Sequence, residues 1–388
     1  MNVVFINQFS FANLGGVELH ILNLGKELLK QGNTVTLVCR DCAWKEGWQP
    51  ATGGFRIVHA PSLRDLFAFL RREAWNIDVC HAHMARKPYA LFGVLFARLM
   101  GISTVFTPHC FYPSDDAGKA LAKKVYDQTL TRLTFFLSDR VINLTPVDQT
   151  DSLRRGMQLA KSRIIPNSIC VSQLRNVQRI AFRERYGISG EYLLHVGRFQ
   201  KHKCIDFLIR NHTSFDELSL VLIGQDEGEL ETIRCLISTL GLSARVHILE
   251  KISVEEVCSA YREARALVMA SRNEGLPTVI LEAAAFATQS IAPRVGGIPY
   301  TIHEGLTGYL YDWGDSQGYV NSVRNMLRGQ RQIDNTSRQE LLKRFSWEAN
   351  AEQIASVYQE IAASSPGARD AHAQKPIASA QEQVERTR

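Results

Sequence analysis

This 388-residue chain contains no apolar run of the roughly 18–20 residues that a helix needs to cross a bilayer. Its start, Met1-Asn2-Val3-Val4-Phe5-Ile6-Asn7, has no basic residue and is too short for a secretory leader; it reads as a first strand, and the expected compartment is the cytoplasm. Paired cysteines are also missing. Of eight scattered cysteines only Cys39 and Cys42 are close, and no second pair completes a zinc spacing, so reduced structural thiols are expected. His81-Ala82-His83 has no third ligand at a metal-binding spacing and reads as a buried or cleft-lining pair. There is no Gly-x-Gly-x-x-Gly fingerprint and no acidic residue closing a second strand at the dinucleotide spacing, which argues against a dehydrogenase. No internal repeat of about 20–50 residues exceeds the strand–helix alternation itself.

What is present describes a globular protein, with 45% hydrophobic and 22% charged residues. The net charge of +6 is unevenly placed: residues 1–163 hold 20 Lys/Arg against 13 Asp/Glu, and the remainder holds 25 against 26. A basic first half suits an anionic partner, such as an acidic membrane, nucleic acid or a phosphorylated acceptor. Two patches stand out: Lys119, Lys123 and Lys124, and Arg64, Arg71 and Arg72 beside Phe67 and Phe69. Either also reads as an ordinary solvated helix face.

Apolar strand signals alternate with helical periodicity along almost the whole chain. The first series has strands over residues 3–6, 33–39, 55–60, 77–81, 103–107, 140–144 and 163–165, with a long helix over 117–137. Pro166-Asn167-Ser168 breaks it. The second series has strands over 192–196, 218–223, 245–249, 266–270, 289–292 and 308–310, followed by a helical region from 315 to about 362. The implied fold class is α/β: two Rossmann-like, doubly wound parallel-sheet domains facing a cleft. The expected divisions are 1–168, 169–345, a closing helix over 346–363 and a disordered tail over 364–388.

The chain is organised around Asn273-Glu274-Gly275-Leu276-Pro277-Thr278-Val279-Ile280-Leu281-Glu282. A buried strand precedes it. Pro277 suits a first helical turn, where its missing N–H costs nothing. Glu274 is therefore placed on a loop at a strand's carboxyl end, and Glu282 further along the helix. Free amides and the helix dipole there favour a diphosphate, while the carboxylates accept hydroxyl hydrogen bonds. An ordinary helix, with Glu274 only a first-turn dipole partner, fits the same ten residues.

Other segments end strands in the same way. Val196-Gly197-Arg198, with Lys203 following, supplies a turn, a guanidinium fork and a point charge, which suit a diphosphate leaving group. Gly15-Gly16-Val17-Glu18 opens the first helix, where glycine lets backbone approach a phosphate or sugar. Thr107-Pro108-His109 points His109 into the cleft, and Arg294-Val295-Gly296-Gly297-Ile298-Pro299 again allows close backbone approach.

Taken in order, these segments resemble the retaining glycosyltransferases of family 4, of GT-B type, over residues 3–350. The two glutamates seven residues apart, Glu274 and Glu282, are the most specific match; Asp78 to His83, Pro166-Asn167 and Phe345-Ser346-Trp347 add to it. The resemblance implies that Arg198 and Lys203 hold the donor diphosphate, Glu274 the donor sugar hydroxyls and Glu282 the ribose hydroxyls. Gly275, Leu276, Pro277 and Thr278 complete the donor loop, Gly15 and Gly16 approach the donor phosphate, and His109 lies beside the transferred sugar. It implies a nucleotide diphosphate sugar (UDP or GDP type) as co-substrate, no cofactor, no metal, and same-face attack with retention. The implied acceptor is a glycolipid or polysaccharide of lipopolysaccharide, O-antigen or exopolysaccharide type, met on the inner face of the cytoplasmic membrane; nucleic acid is not an expected partner. Departures from the pattern are Cys204 after the lysine, Gly224-Gln225-Asp226-Glu227 in the nucleotide-side loop, and Ser168. A nucleotide-sugar epimerase and a noncatalytic nucleotide-sugar-binding subunit are the competing readings; the first would need no acceptor and the second would bind donor without turnover.

Overall fold

The computed structural model describes residues 1–8, 16–41, 55–109, 111, 116–329 and 332–364. The first half runs β1 (Asn2–Asn7), α1 (Gly16–Lys30), β2 (Thr34–Cys39), β3 (Phe55–His59), α2 (Leu63–Glu73), β4 (Val79–His83), α3 (Pro88–Leu99), β5 (Ser103–Thr107), α4 (Ala117–Tyr126), α5 (Arg132–Leu137), β6 (Arg140–Asn143), α6 (Pro146–Arg154) and β7 (Ser162–Ile164). The second runs α7 (Val171–Arg175), α8 (Phe182–Arg185), β8 (Glu191–Val196), α9 (Ile205–His212), β9 (Leu218–Ile223), α10 (Leu230–Thr239), β10 (Val246–Leu249), α11 (Val254–Glu263), β11 (Ala266–Val268), α12 (Thr278–Ala285), β12 (Ser290–Pro293), β13 (Gly308–Tyr311), α13 (Ser316–Arg328), α14 (Asn335–Arg344) and α15 (Trp347–Ala363).

Two parallel sheets result, ordered β3-β2-β1-β4-β5-β6-β7 and β10-β9-β8-β11-β12-β13. Their central strands read as near-continuous apolar runs because helices cover both faces. In β9 all six residues are buried. Each sheet reverses its winding once, between β1 and β4 and between β8 and β11. Ligands bind at such switch points, outside the carboxyl ends of the strands.

The last helix crosses back. Trp347, Ala351, Ile354, Val357, Tyr358 and Ile361 of α15 belong to the same apolar core as Val3 and Phe5 of β1 and Ile21 and Leu24 of α1. Asn350 fixes the crossing point, its amide donating to Pro166 O at 3.2 Å and to Ser168 Oγ at 2.5 Å. Ser168 thus anchors the closing helix. Among the described residues no helix is long and apolar enough to cross a membrane.

Several expectations shift. The strand expected over 77–81 lies at Val79–His83, so His81 and His83 sit inside it. The helix expected over 117–137 is interrupted by a π turn at Asp127–Thr131. Its extra residue turns the Asp127 carboxylate inward, where Arg86 and Arg155 take it at 2.7 and 2.9 Å. Phe69 faces the core rather than the basic patch on α2, while Phe67 stays exposed. Gly15 and the tail over 365–388 lie outside the described residues.

Candidate active site

At the switch point of the second sheet, β8 delivers Gly197 and Arg198, and β11 leads through buried Met269, Ala270 and Ser271 to the Glu274 loop. Lys203 comes from a single 3₁₀ turn, Lys201–Lys203. Its ammonium donates to Glu274 Oε1 at 2.6 Å, with side chains only 17% and 7% exposed. Two of the expected donor-site residues thus form one ion pair. Cys204, which follows, has φ 49°, a left-handed conformation in which glycine carries no Cβ penalty.

The Glu274 loop is held from behind by backbone. Gly297 N donates to Gly275 O at 2.8 Å. A Cβ on Gly296, whose φ is +51°, would stand 1.7 Å from Glu274 O, and one on Gly297 would stand 2.1 Å from Gly275 O. That Gly297 Cβ would also come within 2.6 Å of the Thr145 methyl, at the start of α6 in the first half. The Gly296-Gly297 turn is therefore wedged between the Glu274 loop and the opposite unit, and only glycines fit.

Glu282 lies on α12. Part of the residue remains accessible, but its carboxyl is deep enough that burial raises its pKa; hydrogen bonds from Tyr261 Oη (2.9 Å) and Thr278 oppose this. Of the donor loop, Leu276 and Pro277 are buried, whereas Gly275 and Thr278 are partly accessible. Pro277 takes the N-cap position, with Thr278 opening the helix.

Arg198 is placed differently. Its guanidinium donates to Glu227 Oε1 at 2.7 Å, the two side chains being 49% and 35% exposed. Gln200 also donates to Glu227. The neighbouring Asp226 turns the other way. Its Oδ1 accepts from the amides of Gly228, Glu229 and Leu230, capping the turn into α10. A Cβ on Gly224 would lie 1.9 Å from Gly197 O, so this loop rests directly on the Arg198 turn.

In the first sheet the switch point carries a histidine cluster. His109, with φ 63°, is only 6% exposed, so it lines the interior of the unit rather than projecting freely. Its Nε2 meets His83 Nδ1 at 3.3 Å, and its ring lies 5.0 Å from that of His20. His81 is held by Tyr358 Oη at 2.6 Å and Thr107 Oγ1 at 2.8 Å. Burial lowers the pKa of all four histidines, that of His20 to about 4 despite its Asn167 hydrogen bond. All are therefore neutral at physiological pH. Gly16 begins α1 with open space beside its Cα, so nothing in the described residues demands glycine there.

Three residues of this region escape sequence reasoning as partners. His20 projects from α1 into the cluster; Thr145 closes on Gly297; buried His195 donates from Nδ1 to Val268 O at 3.1 Å, leaving Nε2 unpaired beside the Arg198 turn. The i, i+4 spacing of His20 from Gly16 is visible in the sequence, but its direction is not. Among the described residues no group of three or more His, Cys, Asp or Glu is arranged to hold a metal ion.

Residues 14–173 match the family described as Glycosyltransferase Family 4, and residues 178–359 match Glycosyl transferases group 1. The phosphatidylinositol N-acetylglucosaminyltransferase GPI3 subunit of Saccharomyces cerevisiae is 24% identical, covering 94% of this chain and 84% of its own length. The D-inositol 3-phosphate glycosyltransferase of Corynebacterium diphtheriae is also 24% identical, covering 92% of both chains. Among solved structures, sucrose-phosphate synthase from Thermosynechococcus elongatus superposes with a TM-score of 0.78 at 20% identity, over 94% of this chain and all of the other. Anabaena HepE in complex with UDP gives 0.78 at 19% identity, over 93% and 100%. These structures share the two-sheet fold.

Proposed function

Because this chain belongs to the family-4 glycosyltransferases and has their two-sheet GT-B fold, we propose that it moves a sugar from a nucleoside diphosphate donor to a hydroxyl of a glycolipid acceptor, with retention of anomeric configuration. The observation that carries the donor half of this reading is the largely buried Lys203–Glu274 pair at the switch point of the second sheet. Lys203 supplies a fixed positive charge where a leaving diphosphate accumulates negative charge. Arg198 swings from Glu227 onto the same diphosphate. Glu274, released from Lys203, accepts hydrogen bonds from donor sugar hydroxyls, and Glu282 from the ribose. Gly275 and Thr278 shape the wall of the donor loop.

His109 contributes a neutral imidazole on the acceptor side. Retention follows from attack on the face the diphosphate leaves, with the leaving phosphate drawing the acceptor proton. In this reading the two glutamates are binding groups and not the acid and nucleophile of a glycosidase. Lys203 and Arg198 provide the positive charge that a metal ion would otherwise bring. UDP in complexes of a structural neighbour supports a nucleotide-sugar donor. The full-length relatives named for phosphatidylinositol and inositol 3-phosphate favour a phosphate-bearing inositol-type acceptor over the lipopolysaccharide type expected from sequence. We place the reaction at the cytoplasmic surface of a membrane, the enzyme binding peripherally.

The test is the product itself. With one donor turned over on phosphatidylinositol in detergent, NMR of the product is expected to show the donor's anomeric configuration, with unchanged yield in EDTA. An inverted product, or a yield abolished by EDTA and restored by magnesium, would contradict the reading.

A further inference from the structure

His195 is the penultimate residue of β8, the strand that delivers Gly197 and Arg198. It follows Tyr192, Leu193 and Leu194, all buried, and is itself only 1% exposed. An apolar side chain would fill that place and leave no polar atom to satisfy.

The backbone fixes its tautomer. Nδ1 lies 3.1 Å from Val268 O on the neighbouring β11, and a carbonyl only accepts, so the ring proton is on Nδ1. Burial lowers the pKa of the ring to about 4. At physiological pH the imidazole is therefore neutral, and Nε2 carries a bare lone pair. That atom is buried and has no partner. Ser271 Oγ, past the end of β11, is a second buried polar atom without one. Both strands that flank the switch point thus lead out past an unmet polar atom. Such atoms are costly unless a partner reaches them.

The lone pair faces the donor side. A Cβ on Gly197 would stand 3.4 Å from Nε2. The charges that act on the ring are those of Lys203, which opposes its protonation, and Glu274, which favours it. Nε2 cannot itself hold a phosphate oxygen, since both only accept. An ammonium has three N–H groups and can donate to both. Lys203 gives one of the three to Glu274, whose carboxylate offsets its charge. A leaving diphosphate needs that charge free. Whatever steadies the ammonium once Glu274 turns to the sugar must then be a neutral acceptor, and Nε2 of His195 is one.

We propose that His195 is a positioning residue for Lys203: as Glu274 turns to the donor sugar, His195 Nε2 accepts one N–H of the Lys203 ammonium and holds it, fully charged, against the donor diphosphate. This role rests on the nucleotide-sugar donor reading above.

The test separates the two edges of the ring. His195→Asn keeps an amide near Nδ1 for Val268 O and has no acceptor at the reach of Nε2. His195→Gln keeps the far acceptor instead. Affinities for UDP and GDP are measured by calorimetry, with melting temperatures, on wild type and on each variant. Wild type is expected to bind one of the two diphosphates. H195N is expected to bind it about tenfold more weakly, the effect of one hydrogen bond to a charged group, and H195Q to recover most of that loss. H195L, which fills the space with no acceptor, is expected to match H195N and replaces it should H195N fail to fold. In a Lys203→Ala background H195N is expected to change nothing further, because its effect runs through Lys203.

A histidine that only braces β8 against β11 would give the opposite order, with H195N near wild type and H195Q weak. That order, an equal loss in H195N and H195Q, or a loss that persists without Lys203 would each overturn the assignment. Wild type that binds neither UDP nor GDP would sink the donor reading and this role with it. Wild-type binding that H195N and H195L leave unchanged would sink this role alone.

Discussion

Lys203 Nζ and Glu274 Oε1 lie 2.6 Å apart although 71 positions separate them in the chain. Each comes from the carboxyl end of a different strand, β8 and β11, that flank one switch point. Removing either partner of a pair buried to this degree leaves the other charge uncompensated, and in the proposed donor complex the ligand takes the missing partner's place.

The Arg198–Glu227 pair is more exposed and contributes at most about 1 kcal/mol. In the proposed donor complex Glu227 would compete with the diphosphate for Arg198. Glu227→Gln is therefore expected to lower the donor KM by roughly two- to fivefold, in keeping with that energy, with little change in melting temperature. A higher KM would show instead that Glu227 orients Arg198 for the donor.

Gly296→Ala places a methyl against Glu274 O in a backbone region hostile to side chains. The Glu274 loop must move. The expected result is a fall in kcat of about a hundredfold, typical of a displacement near 1 Å, with a folded protein by circular dichroism. Turnover near wild type would detach this turn from the site.

Alternation of apolar runs with helical periodicity dictates βαβ crossovers, and crossovers make parallel sheets, so the existence of β1, β5, β8 and β9 is legible in the sequence to within a residue. The loop carrying Glu274 is legible because strand, glycine and Pro277 fix its place. Side-chain direction is not. Nothing local distinguishes Asp226, which caps a turn, from Glu227, which grips Arg198. The π turn at Asp127 is met by Arg86 and Arg155, 41 and 28 residues away, which no local pattern announces. His20, His81, His83 and His109 converge only because the sheet order brings α1, β4 and the end of β5 together.

That convergence has a pH consequence. Burial lowers the pKa of His20 to about 4, against an unfolded value of 6.5. The unfolded chain therefore binds the extra proton first as pH falls. Stability from this group is complete above about 6.5 and is lost as pH drops toward 4. The loss attributable to His20 between pH 7 and 5 is about 2 kcal/mol. His81, His83 and His109 act in the same direction. The melting temperature is expected to fall over that range, and His20→Gln to flatten the fall. A melting temperature constant or rising toward pH 5 would contradict the buried neutral cluster.

The most direct measurement is release of free nucleoside diphosphate from a panel of UDP- and GDP-sugars, with and without phosphatidylinositol-containing lipid, for wild type and for Lys203→Ala and Arg198→Ala. The account predicts acceptor-stimulated release from one donor by wild type. It predicts a loss of two to three decades in each variant, about 3–4 kcal/mol of transition-state stabilisation, with the fold intact. Near-normal release by either variant would contradict the placement of the diphosphate, and no release by wild type from any donor would contradict the transferase reading itself.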